Sequence, residues 1–141
     1  EYEQAKAKIA TIVENAIKDL RDRKFELKNM ILSVKLYHDP KEKLGSKVLP
    51  QPYQCAKQLI DSGKQVKAGD TVNFIKVKPF AYQGREFTVK PADRVNSVSE
   101  VNVEDYRRNL TTALNQTLKP MGISFKTETE AKITDWLADR S

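Results

Sequence analysis

Lys35, Lys41, Lys43 and Lys47 fall within one short stretch of the chain. Ammonium groups need only a shared face, not a fixed spacing, to engage phosphates, so the chemistry they offer is Coulomb attraction to a polyanion with release of its counterions. Lys35 sits in Ser33-Val34-Lys35-Leu36-Tyr37, on the polar side with Ser33 and Tyr37, and the other three lysines follow at once. Lys76 and Lys78 alternate with apolar residues and read as a solvated strand face. Lys18, Arg21, Arg23 and Lys24 gather where an opening helix ends, a place where cations suit the helix dipole as well as a phosphate.

Catalysis has little raw material. Cys55 and His38 are each the single residue of their type, which excludes an intramolecular disulfide and a zinc cluster of several thiolates. His38 is followed by Asp39, but nothing in the sequence brings Cys55 to them, and Cys55 beside Ala56 reads as a small buried hydrophobe on a short helix. The glycines, at 45, 63, 69, 84 and 122, are too dispersed for a phosphate-cradling loop. No catalytic, cofactor-binding or metal-ligating residue is assigned.

The elements that would carry the lysines follow from periodicity. Ile9, Ile12, Val13, Ala16, Ile17 and Leu20 mark one face of an amphipathic helix from about Tyr2 to Arg23. Alternation at Leu32, Val34 and Leu36 predicts a short strand that ends at His38-Asp39-Pro40, with a mobile loop over 41–49. Tyr53 to Ser62 reads as a short helix with Ala56, Leu59 and Ile60 inward, stopped by Gly63. A turn at Lys67-Ala68-Gly69-Asp70 leads into a strand over 71–78 ended by Pro79, and 85–90 is its hairpin partner across Phe80 to Gly84. Residues 91–100 look irregular. Asn102 with Asp105 caps a helix carrying Tyr106, Leu110, Ala113, Leu114 and Leu118 until Pro120 and Gly122. Thr127 with Glu130 opens a last helix through Ile133, Trp136 and Leu137. The sum is an α+β fold, a mainly helical domain with a small antiparallel sheet.

At 141 residues the chain fits one compact domain, or a domain with an attached tail, divided as 1–122 and a C-terminal helical extension over 123–141. Its net charge of +6 is uneven: residues 1–90 hold 18 Lys or Arg against 11 Asp or Glu, whereas 91–141 hold 7 against 8. A basic field on part of a small domain favours a polyanionic partner, nucleic acid being the commonest. No apolar run approaches the roughly 20 residues of a bilayer span, so no membrane partner is expected. A first residue of Glu rather than Met suggests a piece excised from a longer protein.

The order of segments resembles the thumb region of family B DNA polymerases over roughly residues 10–122. The matching stretches are the opening helix, L-S-V-K-L, Y-H-D-P, Q-P-Y-Q-C-A-K-Q-L, A-G-D-T-V-N-F-I and V-N-V-E-D-Y before a leucine-patterned helix. The most specific element is Gly69-Asp70-Thr71-Val72 with Phe74 and Ile75, similar to the family's turn and strand GDxVxYxI. Ala56 and Leu59 fall on the Ala and Leu of its short helix, and Lys35 on the lysine of its ITK strand. Gln51-Pro52 stands where the family has Pro-His, Val34 where it has Thr, and Asn102 and Tyr106 alone represent its Asp and paired tyrosines, the pattern of a divergent member.

The resemblance implies a thumb that closes on primer-template duplex and contacts its sugar-phosphate backbone across the minor groove during DNA synthesis, independent of sequence. Lys35 is carried over from the motif, and Lys41, Lys43 and Lys47 extend it by charge and position; Gly69 and Asp70 shape the turn that aligns the strand. The partners implied are primer-template duplex and the palm and other domains of a parent DNA-directed polymerase, a nucleotidyltransferase. Its Mg2+-binding aspartates lie in a palm expected ahead of Glu1, so no cofactor is assigned to this chain, which would not be active alone. The nucleus is the implied compartment for a eukaryotic parent. A different class of reading is a divergent thumb-like module without catalysis that serves protein-protein interaction in a larger assembly.

Overall fold

The structure, a computed structural model, describes residues 2–118 and falls into two compact units, Glu26–Asn102 and a unit drawn from the chain up to Phe25 and from Val103 onward. The expected helix at 127–137, its stop at Pro120 and Gly122 and the division at residue 122 lie outside the described residues.

In the second of these units, helix α1 (Tyr2–Arg21) meets helix α4 (Val103–Leu118). Ala10, Val13 and Ile17 form the buried stripe of α1, and Leu110 and Leu114, one turn apart on α4, pack against it. Ile12, expected inward, is 66% exposed. At 3.6 residues per turn it points more than about 90° from the stripe that a single neighbouring helix covers. Ala113 is exposed as well. Thr111 is buried and donates its hydroxyl to the Arg107 carbonyl at 2.9 Å, so its polar atom is satisfied within the helix.

The other unit is built on an antiparallel sheet of strands β1 (Leu32–Lys35), β2 (Thr71–Tyr82) and β3 (Arg85–Pro91), in the order β1-β2-β3. Helix α3 (Gln51–Asp61) covers one face. Leu36, Tyr53, Cys55, Ala56, Phe74 and Phe87 are central members of that core. The helical residues outnumber the strand residues, as the α+β reading requires.

Two expectations fail here for backbone reasons. Pro79 does not end β2: the ladder shifts register between Lys76 and Phe80, so that residues 77–79 face Thr88 alone. A bulge removes the proline from ladder positions where its missing N–H would count. The segment after β1 is not all loop either, because Asp39 caps a single helical turn, α2 (Pro40–Lys43), accepting from the Lys41 N–H at 2.9 Å, with Pro40 at the first helical position. The same Asp-Pro pair that reads as a strand breaker is a helix start. The hairpin turn is tighter than expected, with Gln83 and Gly84 both at positive φ (49° and 78°) between paired Tyr82 and Arg85. Residues 91–100 form two 3-10 turns, the later one with a capping box between Ser97 and Glu100.

Candidate nucleic-acid interface

Lys35 ends a strand whose side chains alternate. Leu32 and Val34 pack toward the core, which leaves Ser33 and Lys35 on the face turned away from α3. The register places Ser33 opposite Asn73 and Lys35 opposite Thr71, all four exposed. Ser33 donates its hydroxyl to the Asn73 side-chain oxygen at 2.6 Å. A patch of hydroxyls, an amide and an ammonium therefore lies open on the sheet. Ser33, Thr71 and Asn73 escape a reading that searches for charge; the signal that finds them is strand register, set by the Lys67–Asp70 turn.

That turn is held from both sides. Asp70 N–H donates to the Lys67 carbonyl at 3.1 Å, and the Asp70 carboxylate accepts from Lys67 N–H at 2.9 Å. Gly69, at φ 93°, occupies the position where a side chain would be strained, although nothing crowds its missing Cβ. Gly69 N–H donates to the Leu36 carbonyl at 2.7 Å and Leu36 N–H to the Asp70 carbonyl at 2.8 Å. Two residues thus oppose one, as in a bulge with glycine in the left-handed region, and the end of β1 is fixed just beyond Lys35.

Lys41, Lys43 and Lys47 stand elsewhere. Lys41 and Lys43 lie on α2, and Lys47 in the connection to α3, whose Leu44 and Leu49 pack into the core. Lys41 and Lys47 are exposed and Lys43 half-buried. This connection is tied down by Arg85, whose guanidinium donates to the carbonyls of Leu44 (3.2 Å), Ser46 (2.6 Å) and Lys47 (3.2 Å). A mobile loop over 41–49 does not describe it, because one cation satisfies three backbone acceptors that a free loop would leave to water. Among the described residues none of the four ammonium groups has an ion-pair partner.

Other cations are structural. Lys76, expected on a solvated face, is buried at 9% exposure in the middle of β2, where residues 74–77 are all buried. Lys90 pairs with Glu100 at 2.8 Å and lies 5.2 Å from the Phe80 ring centroid. The Glu100 carboxyl is held below its ordinary range, first by that Lys90 hydrogen bond and then by the Asn96 N–H. Lys57, Tyr82 and Gln83 all donate to one oxygen of Asp61, at 3.2, 2.6 and 3.2 Å, fastening the hairpin to the end of α3. The Tyr82 hydroxyl is the largest influence holding the Asp61 carboxyl down, and Tyr82 itself is pushed up to about 12 by burial and by Asp61.

Cys55 is fully buried, its thiol pushed up to about 12 chiefly by burial, with Sγ 3.6 Å from the Asn73 carbonyl. This is the inert core cysteine expected of its position rather than a nucleophile. His38 contributes its backbone N–H to the Tyr53 hydroxyl at 3.1 Å. No group of three or more His, Cys, Asp or Glu side chains among the described residues is placed to hold a metal ion. None of the described helices is long and apolar enough to cross a membrane.

No family model matches the chain. A DNA polymerase of Methanocaldococcus jannaschii is 32% identical to it over 98 residues, 70% of this chain and 5% of that protein. The fold is similar to part of the family B DNA polymerase of the hyperthermophilic archaeon Pyrobaculum calidifontis, with a TM-score of 0.61 and 24% identity over 81% of this chain and 15% of the archaeal one. The chain therefore spans only a small part of the length of either protein.

Proposed function

Because the chain is a divergent relative of one stretch of the family B DNA polymerases, we propose that it serves as a polymerase thumb, gripping primer-template duplex through the sugar-phosphate backbone. The observation that carries this reading is the open face of β1 and β2, where an unpaired Lys35 stands among Ser33, Thr71 and Asn73. Hydroxyl and amide groups beside an ammonium are the side chains that contact phosphate and sugar without reading bases. Lys41, Lys43 and Lys47 add positive charge on a tied-down connection and serve as a second, looser row of phosphate contacts.

A division of labour belongs to this reading. Its residues bind and orient duplex, while nucleotidyl transfer belongs to the palm of a parent polymerase. The Mg2+ ions that such a parent uses find no fitting carboxylate cluster among the described residues, so no step of metal chemistry is assigned here. Duplex DNA and the parent's other domains are the partners.

The test is binding of the 141-residue chain to a fluorescent primer-template duplex across a salt series. Each phosphate contact should steepen the dependence of log K on log salt by about 0.9, so each is worth about threefold in affinity between 50 and 200 mM. Triple charge reversal at Lys35, Lys41 and Lys43 should flatten the slope and abolish measurable binding. Equal binding by wild type and triple variant, with both folded, would sink the thumb reading and favour a protein-interaction module.

A further inference from the structure

Tyr37 is 79% exposed, the one aromatic among the large apolar side chains that the described residues leave open to solvent. Its ring and hydroxyl have no partner among the described residues. The backbone around it is nevertheless fixed. Leu36, just before, is 1% exposed and has both its N–H and its carbonyl engaged by the Gly69-Asp70 bulge. His38, just after, donates its N–H to the Tyr53 hydroxyl at 3.1 Å, and Asp39 caps the helical turn that buries Pro40. An aromatic ring held out by an anchored backbone loses little further freedom on binding, which is what makes such side chains effective contacts.

Its position indicates what it meets. Lys35 is the last residue of β1 and the chain bends at Tyr37, with Leu36 buried between the two exposed side chains, so the ring stands within two residues of the Lys35 ammonium, at most about 7 Å of chain away. That is the span from a phosphate to the sugar and base edge of an adjoining nucleotide. The flanking charge fits a polyanion: Lys35, two residues before, has no carboxylate partner among the described residues, and neither do Lys41, Lys43 and Lys47 on the segment that follows. We propose that Tyr37 is an apolar nucleic-acid contact whose ring lies against the deoxyribose and base edge of the strand whose phosphate Lys35 binds. This rests on the thumb reading and adds to it a term of different physical origin. Lysine contacts draw on counterion release and weaken with salt, whereas an aromatic contact is nearly indifferent to it.

The two origins separate in one titration. Binding of wild type, Tyr37→Ala, Tyr37→Leu, Tyr37→Phe and Lys35→Ala to a fluorescent primer-template duplex is measured at 50, 100 and 200 mM salt, with a thermal melt of each variant. Tyr37→Ala should weaken binding roughly 5- to 10-fold by the same factor at every salt concentration, the lower part of the range of aromatic contacts to nucleic acid. Tyr37→Phe should bind as wild type, and Lys35→Ala should lower the salt slope by about one. Tyr37→Ala equal to wild type beside a weakened Lys35→Ala overturns the Tyr37 contact and leaves the thumb reading standing; no binding by wild type removes both. A Tyr37→Ala loss that flattens the salt slope, as loss of a lysine does, also overturns it. Should Tyr37→Ala melt early, Tyr37→Leu decides: wild-type affinity in that folded variant refutes an aromatic contact.

Discussion

The cations of α3 and the hairpin and those of β1 and the α2 connection have opposite fates. Lys57, Arg85 and Lys90 each end on an oxygen within the unit: a carboxylate of Asp61, three loop carbonyls, and Glu100. Lys35, Lys41, Lys43 and Lys47 end on none among the described residues. In the first set Arg85 joins segments some forty residues apart, Lys90 ties β3 to a turn ten residues on and Lys57 pairs within α3, whereas the second set leaves its charge uncompensated within the unit. Net charge alone hides this difference, since every one of these residues counts +1. An unpaired lysine contributes almost nothing to folding and keeps its full Coulomb attraction for a polyanion, so perturbing the two regions should produce separable losses, one of stability and the other of binding.

The largest effect is expected on the structural side, where Gln54 and Gln58 bind α3 to β3. Gln54 Nε2 donates to the Leu49 carbonyl at 2.9 Å while its oxygen accepts the Thr88 N–H at 2.8 Å, and Gln58 Nε2 donates to the Val89 carbonyl at 2.8 Å. Gln54→Ala strands buried polar groups at both ends and should cost about 2–4 kcal/mol in urea unfolding, with the salt slope of DNA binding unchanged for the folded protein. A variant as stable as wild type would show that these buried amides do not hold the unit together. Next is Gly69→Ala, where a left-handed backbone costs about 1–2 kcal/mol for a residue with a Cβ. Because that bulge fixes the end of β1, this variant should also weaken duplex binding, crossing the line between the two regions. A stability loss with unaltered affinity would show that Lys35 needs no such alignment.

On the binding side, Lys35→Glu should reduce affinity more than Lys47→Glu, because Lys35 stands among Ser33, Thr71 and Asn73 on the sheet while Lys47 lies off it, in the connection to α3. Both should leave the melting temperature within a degree or two, as exposed unpaired charges contribute little to stability. Equal losses from the two reversals would mean that only total charge matters, and the distinction of Lys35 would fall.

How much of this was legible depended on range. The strand of Lys35, the turn at Gly69-Asp70, the buried Cys55 and the helix over α3 follow from local periodicity and turn chemistry, and all appear in the structure. Asp39-Pro40 was ambiguous because the same dipeptide breaks a strand and caps a helix, and only the following contacts of Leu44 decide. Pro79 within β2 needed knowledge of a bulge, which is a property of two strands. The role of Arg85 was invisible because its three acceptors are backbone carbonyls some forty positions away. The polar set around Lys35 was unreadable for the same reason: Ser33 and Asn73 are partners only through register, and neither carries a charge to attract notice.

The smallest expected effect tests whether the hairpin side depends on ionisation at all. Tyr82, Lys57 and Gln83 converge on ionised Asp61, whose carboxyl they hold below its ordinary value, with the Tyr82 hydroxyl foremost. A carboxyl with a depressed folded value contributes stability that is complete above its unfolded value, about 3.9, and is lost as pH falls through the folded one. Asp61 is partly open to water, so the increment is a modest part of the acid limb, and Glu100, depressed by Lys90, adds its own share over the same window. Tyr82→Phe removes the foremost cause and should bring the Asp61 share back toward that of a free aspartate; Asp61→Asn should erase it and leave the Glu100 share. Urea midpoints between pH 2 and 6 check this. Superimposable pH profiles for wild type, Tyr82→Phe and Asp61→Asn would mean that these contacts work by packing rather than by charge. The contrast between the regions would then narrow to one between cations that are covered and cations that are not.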